Sequence, residues 1–274
     1  MKSREALRTI AELSAPQWGM VTAAQATSRG VSRVDLARLA STGELVRLAH
    51  GVYRDSGAPI DEFEDLRVAW LSTEPLQPAE QRIRKREAGV VVSGSSAAHL
   101  HGVGDLQAEN HEFTTAVRRQ SQRPEIRYRQ RALEPDDVMI VDGLPTTTLE
   151  RTIADLVEER IDLSLVADLL RDATRKTRLN TNRLVALLSP LAARNGHPRG
   201  DGQALLQKLE AIAGLDLASL ATQIASSREL GALVSAEFLR RISRDGSSSS
   251  AEIATASARL ALERTTHAES HDHG

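Results

Sequence analysis

Between Ser32 and Arg54 the sequence carries side chains whose types and spacing suit contact with a polyanion that has readable edges. In the run Ser32–Arg33–Val34–Asp35–Leu36–Ala37–Arg38–Leu39–Ala40–Ser41, a helical turn of about 100° per residue sends Leu36, Leu39 and Ala40 to one side. Val34, Ala37, Arg38 and Ser41 then share the opposite side, with Arg33 on its flank. A guanidinium held on such a rod can fork onto the acceptors of a guanine edge, so Arg38 is the expected base reader. Val34 and Ala37 offer contacts to thymine methyls. Ser32 and Arg33, at the start of the rod, stand where phosphates are held. Farther on, Arg47 and Arg54 border a short apolar hairpin with His50 at its tip, a place suited to backbone or minor-groove contact. The plainer alternatives are a helical domain that makes protein contacts only, and a His50 that is a solvated turn residue.

A second arginine-rich stretch runs from Arg118 to Arg131, with six arginines against one glutamate. In its strand-like half Ile126 and Tyr128 alternate with Arg127 and Arg129, so one face is apolar and the other basic. Arg118, Arg119, Arg127, Arg129 and Arg131 thus make a possible second basic surface, for DNA or for an acidic partner, against the simpler reading of a solvated outer face. Other arrangements that invite chemistry fall short of it. His99 and His101 are two apart and do not share a helix face, so packing or capping is expected rather than metal binding. Gly94–Ser95–Ser96 lacks the Gly-x-Ser-x-Gly frame of a nucleophile elbow. The loop Gly196–Gly202 has no Walker lysine pattern and reads as a connector. Arg82–Arg86 is expected to be a solvated helix end, with a phosphate contact as the alternative. There are no cysteines, so there are no disulfides or thiolate metal sites. No catalytic residue, metal or cofactor is expected.

The elements that must position these residues can be read locally. Ala6, Leu7, Ile10 and Leu13 share a face over residues 3–13, predicting an amphipathic helix that Pro16 and Gly19 end. Met20 and Val21 suit a short strand, Thr22 caps a helix through Ser28, and Gly30 supplies a turn. Ser32 with Asp35 forms a capping box for the next helix, and Gly43 ends it. Leu45–Leu48 and Val52–Arg54 pair around His50–Gly51. Helix, turn, helix and hairpin in this order make a winged helix-turn-helix over residues 1–57.

Beyond the linker Ser56–Gly57–Ala58–Pro59, the stripe Phe63, Leu66, Trp70 and Leu71 predicts a core-facing helix, and Thr73–Gln81 a loop. Val90–Ser93, Glu112–Val117, Glu125–Arg131 and Val138–Val141 read as strands. Ser95 or Ser96 caps a short helix closed by Gly102. Thr147 with Glu150 caps another, on whose surface Arg151 and Asp155 pair. This is a compact α+β domain over 58–158. Leucine periodicity predicts a helical part over 159–243, and a serine hinge at Ser247–Ser250 opens a mobile tail, 244–274. The fold class is therefore α+β: a winged helix-turn-helix, an α+β middle domain and a helical C-terminal region. Hydrophobic residues at 41% and charged residues at 26% fit a soluble globular protein. No apolar run reaches membrane-spanning length, and the first residues lack the apolar core of a signal peptide, so a cytoplasmic location is expected. Net charge is −2, yet residues 1–57 carry three more cations than anions and residues 81–131 five more. Screening confines such fields to roughly 10 Å, so local sign is what a phosphate backbone feels.

Three blocks resemble a known family. GVSRVDLARLASTGELVRLAHGVYR (residues 30–54) is similar to the N-terminal domain of AbiEi-type antitoxins from type IV toxin–antitoxin systems. VVSGSSAAHLHGV (91–103) resembles the family's strand entering a Ser-Ala-Ala helix that ends His-Gly. DGLPTTTLERTIADL (142–156) resembles its Asp-Gly-Leu-Pro, Thr-Thr, Arg-Thr, Asp-Leu block. The resemblance covers about residues 5–160. It implies a non-enzymatic antitoxin whose N-terminal domain binds double-stranded DNA at its own promoter, at repeated sites, as an autorepressor. It also implies a nucleotidyltransferase-like toxin as partner, counteracted directly or indirectly through the later domains. Some related chains end in a nuclease-like domain, but Gln207–Lys208–Leu209–Glu210 reads as a helix face. Two other classes stay open: a ligand-responsive winged-helix regulator without a toxin, marked by a polar pocket under residues 91–103, and a nuclease.

Overall fold

The computed structural model describes residues 3–106 and 108–227, together with 233, 234, 236, 237 and 240. The last part of the helical region expected over 159–243 lies mostly outside the described residues, and the serine hinge and tail lie wholly outside them. The chain divides into two compact units, Met1–Ala213 and Gly214–Gly274.

The first unit begins with α1 (Ser3–Ser14), whose Ala6 and Ile10 are fully buried. Next come β1 (Met20–Thr22), α2 (Ala23–Ser28), α3 (Arg33–Ser41), β2 (Leu45–Ala49) and β3 (Val52–Asp55). Thr22 caps α2, and Gln25 reciprocates to the Thr22 backbone. The three strands form an antiparallel sheet in the order β1-β3-β2. Ala6, Ile10, Val21, Ala26, Val31, Leu36, Leu39, Leu45 and Tyr53 close one core around it. This is the winged helix-turn-helix.

The next helix, α4 (Glu64–Thr73), is buried from Leu66 through Leu71, more than one amphipathic stripe requires. It packs between the small sheet and a larger one. Met20 of β1 and Val52 of β3 therefore share a core with Leu66, Trp70, Leu71, Val92, Phe113 and Leu144. After Pro78, α5 (Ala79–Arg84) occupies residues expected to be loop as far as Gln81. Proline removes a donor that a helix start leaves unpaired anyway, so it opens this helix rather than preventing it. Arg82 is likewise not a solvated helix end. Its guanidinium is buried, lies 3.5 Å from the centre of the Trp70 ring, and donates to the Trp70 carbonyl at 2.7 Å.

The larger sheet comprises β4 (Val91–Val92), β5 (His111–Thr115), β6 (Ile126–Gln130), β7 (Val138–Val141) and β8 (Leu144–Thr147), in the order β6-β5-β4-β8-β7. The β4–β8 and β5–β6 pairs are parallel; β4–β5 and β7–β8 are antiparallel. Helix α6 (Gly94–His101) follows β4, and α7 (Leu149–Glu158) follows β8. Two glycines of the sequence blocks explain themselves here. A Cβ on Gly94 (φ +57°) would fall 2.1 Å from Glu112 Oε2, and that carboxylate accepts the Ser95 N–H at 2.7 Å. The start of α6 is thus held by a glutamate from β5, not by a Ser95 or Ser96 cap. A Cβ on Gly143 (φ +80°) would crowd the Trp18 ring at 3.0 Å, so the β7–β8 turn needs both the conformation and the close approach. Thr147 lies inside β8 and shares a 2.8 Å hydrogen bond with the Thr152 hydroxyl; the cap of α7 is Thr148. The unit ends with α8 (Leu163–Lys176), α9 (Thr181–Leu188) and α10 (Gly202–Ala213), which bury Leu169, Leu170, Leu184, Leu188, Leu205 and Leu209. In the second unit, α11 (Leu217–Ser226) starts at Asp216, whose carboxylate accepts the N–H groups of Ala218 and Ser219 at 3.0 Å each.

Candidate nucleic-acid interface

Helix α3 is built by local chemistry. The Ser32 hydroxyl accepts from the Asp35 N–H at 3.1 Å, and the Asp35 carboxylate accepts from the Ser32 N–H at 3.2 Å and its hydroxyl at 2.7 Å. These bonds, that of the Ser32 hydroxyl foremost, hold the Asp35 carboxyl below its ordinary pKa. Leu36 and Leu39 are fully buried and lock the rotation of the helix. Ser32, Arg33, Val34, Ala37, Arg38 and Ser41 consequently form an exposed face, and Val34 is 78% exposed. Arg38 donates to Asp35 Oδ1 at 2.9 Å. An exposed pair of this kind is worth well under about 1 kcal/mol, so the guanidinium is easily lent to a stronger acceptor. The Ser41 hydroxyl donates to the Arg38 carbonyl at 2.7 Å, leaving its lone pairs outward.

The wing is β2, the His50–Gly51 turn and β3. Its register slips between Arg47 and Ala49, the mark of a bulge, and there Leu48 turns toward the core shared with α4 while Arg47 stays exposed. The tip is tied at two points. Ala23 N–H donates to the Gly51 carbonyl at 2.8 Å, and Arg123 Nη2 donates to the His50 carbonyl at 2.9 Å. Arg33, Arg47 and His50 line one concavity of about 300 Å³ beside this tip.

Arg54 is not part of that surface. It is 5% exposed and donates from Nη1 to Glu64 Oε2 at 2.5 Å. The reason is topological: β3 is the central strand, with β1 on one side, β2 on the other and α4 packed across it. A hairpin read in isolation has a free face; this one has none at Arg54.

The expected second basic surface is also largely neutralised. Arg129 reaches Asp155 at 3.0 Å, Glu158 at 2.8 Å and Glu159 at 3.3 Å. Arg131 pairs with Glu158, Arg127 with Glu112 at 3.1 Å, and Arg119 with Glu74. Arg118 alone of the five is exposed without a carboxylate partner among the described residues. The partners are remote in sequence, so alternation along the strand could not reveal them. Arg151 and Asp155, expected to pair on a helix surface, are buried at 5% and 0% exposure. Asp155 is the hub onto which Arg129 and Arg151 converge.

His101 is half-buried and its Nε2–H donates to the Thr147 carbonyl at 2.8 Å; burial lowers its pKa, with that bond opposing. His99 is exposed with its ring edge-on to Phe63. Among the described residues no group of three or more His, Asp or Glu could hold a metal. A second concavity, of about 390 Å³, lies beside α6 and is lined among others by Asp65, Ser96, His99, Asp105 and His111. No helix among the described residues is long and apolar enough to cross a membrane. The residue that sequence reasoning missed is Arg123. It sits in a Ser-Gln-Arg-Pro loop that has no period to read, and only its place in the arginine-rich stretch marked it.

Two family models match the chain. Residues 8–54 match one described as a transcriptional regulator, AbiEi antitoxin, and residues 88–197 match that of the AbiEi antitoxin C-terminal domain. Among solved structures, the crystal structure of RV2827C protein from Mycobacterium tuberculosis is similar at 22% identity, with a TM-score of 0.45, over 74% of this chain and 80% of that one. No curated protein matches.

Proposed function

The chain belongs to the AbiEi antitoxin family, and from that premise we propose that it represses its own operon through the winged helix-turn-helix and counteracts a nucleotidyltransferase-type toxin through the rest. The observation that carries the DNA half is the outward face of α3. Arg33, Val34, Ala37, Arg38 and Ser41 are exposed together on a helix whose opposite side is locked by Leu36 and Leu39. Arg38 reads bases; Arg33, Arg47 and the wing tip at His50 hold the backbone. An exposed valine on such a face serves no fold and suits a thymine methyl. The test is a mobility shift with duplexes tiling the DNA upstream of its own gene: a shift confined to one region supports repression, and a folded chain that shifts none of them refutes it. For the toxin half, co-expression with the neighbouring reading frame should relieve any growth arrest that frame causes alone.

One observation favours a second reading. The concavity beside α6 lies next to residues 91–103 and has a polar lining, as a ligand-responsive regulator requires. A small molecule that releases the operon duplex, and whose effect is lost in His111→Leu, would shift the balance toward it.

A further inference from the structure

The arginines of the larger sheet and three around the wing differ in their partners. Those on the larger sheet face carboxylates; three around the wing do not. Arg33 and Arg47 make no ion pair or side-chain hydrogen bond among the described residues. Arg123 bonds only to neutral acceptors: Nη1 donates to Ser72 Oγ at 2.8 Å and Nη2 to the His50 carbonyl at 2.9 Å. All three line the same concavity of about 300 Å³, with His50 and Tyr53, and no Asp or Glu is in its wall. Gathering three guanidinium groups without a counter-charge costs electrostatic energy, which an oxyanion seated among them recovers.

Arg123 is the unexpected member, because it comes from the larger-sheet domain rather than the winged helix. Its loop is fixed by the Ser121 hydroxyl, which accepts the Arg123 N–H at 2.9 Å, and by Ile126 N–H donating to the Arg123 carbonyl at 3.1 Å. Ser72, the anchor on α4, is itself held by donating to the Val68 carbonyl at 2.7 Å. A guanidinium has five N–H donors, and two are used here. The side chain is thus pre-positioned at the wing tip with donors and full charge to spare.

We propose that this concavity is a phosphate site for the backbone of bound duplex, with Arg123 completing a clamp that Arg33 and Arg47 begin. The inference rests on the DNA-binding reading above and extends it: the domain after the wing contributes directly to holding DNA. It explains why the wing and α4 share one core, since a phosphate clamp split between two elements needs them rigidly joined.

The experiment is the salt dependence of duplex binding by the full chain, in wild type, Arg123→Gln, Arg123→Lys and the exposed, unpaired Arg178→Gln, each checked for folding by thermal unfolding. Loss of one phosphate contact should make the log–log slope shallower by about 0.9 in Arg123→Gln. Arg123→Lys should keep the slope, because the charge remains, and Arg178→Gln should match wild type. An unchanged slope in Arg123→Gln overturns the clamp while leaving DNA binding intact. Equal loss of slope in the Gln and Lys variants overturns it too, showing that Arg123 only braces the wing. A rise in melting temperature with inorganic phosphate, joined to an unchanged DNA slope, would assign the site to a free phosphate ester instead of duplex. A folded wild-type chain that binds no duplex removes the reading on which the clamp depends.

Discussion

Two arginines of the wing, seven residues apart, should fail in opposite ways. Arg54→Ala removes a guanidinium that is 5% exposed and leaves Glu64 facing a partly closed site without its 2.5 Å partner. Breaking a fully buried pair on one side costs about 3–5 kcal/mol. The Glu64 side chain keeps 19% exposure, so water recovers part of this and about 2–3 kcal/mol remains. For a chain of this size that corresponds to a fall in Tm of roughly 5–10 °C. Replacing both partners, as Arg54→Met with Glu64→Leu, should restore most of the loss, because no charge is stranded. Arg47→Ala touches nothing in the fold and should stay within about 0.5 kcal/mol of wild type, yet weaken duplex binding and make its salt slope shallower by about 0.9. Thermal unfolding and fluorescence anisotropy on the same four proteins read both quantities. An Arg54→Ala protein with wild-type Tm and weakened DNA binding would refute the assignment of Arg54 to the fold.

Two further outcomes follow from the same reasoning. Asp155→Ala strands the buried Arg151 and takes one of Arg129's three carboxylate partners, and should cost about 3–5 kcal/mol, read by chemical denaturation; a change under about 1 kcal/mol would mean these pairs carry little. His101 has its pKa lowered below the ordinary 6.5 by burial, so between that lowered value and 6.5 the unfolded chain binds more protons than the folded one. Stability held above pH 6.5 is therefore lost as pH falls through this window, and Tm should drop less steeply from about pH 7.5 to 5.5 in His101→Gln than in wild type; parallel curves would remove His101 as a cause.

What can be read from the amino-acid sequence is what is decided within a few residues. Ser32, Asp35, Leu36, Leu39 and Gly43 specify α3, its cap and its rotation by spacing alone, so its outward residues follow from the order of side chains. The α+β class is equally readable, from strand-like and helix-like runs in alternation. Partners remote in the chain cannot be read this way. Arg54 resembles a wing border because local spacing does not reveal the pairing of β1 with β3, and the arginines of β6 look free because Glu158 and Glu159 come from the far end of α7. Arg82 lies in a basic run, but Trp70, twelve residues earlier, takes it out of solvent. Arg123 gives no local signal because a loop has no periodicity, and its role depends on the wing more than seventy residues away.

The central claim is that α3 reads bases and that Arg38 does so most directly. It is tested by anisotropy of the full chain on its own operon duplex and on a scrambled duplex of equal length, with wild type and Arg38→Ala. A bidentate base contact is worth about 1–3 kcal/mol of discrimination, so Arg38→Ala should lose roughly 5- to 150-fold on the operon duplex and change little on the scrambled one. An equal loss on both duplexes, or no loss on either, would contradict it.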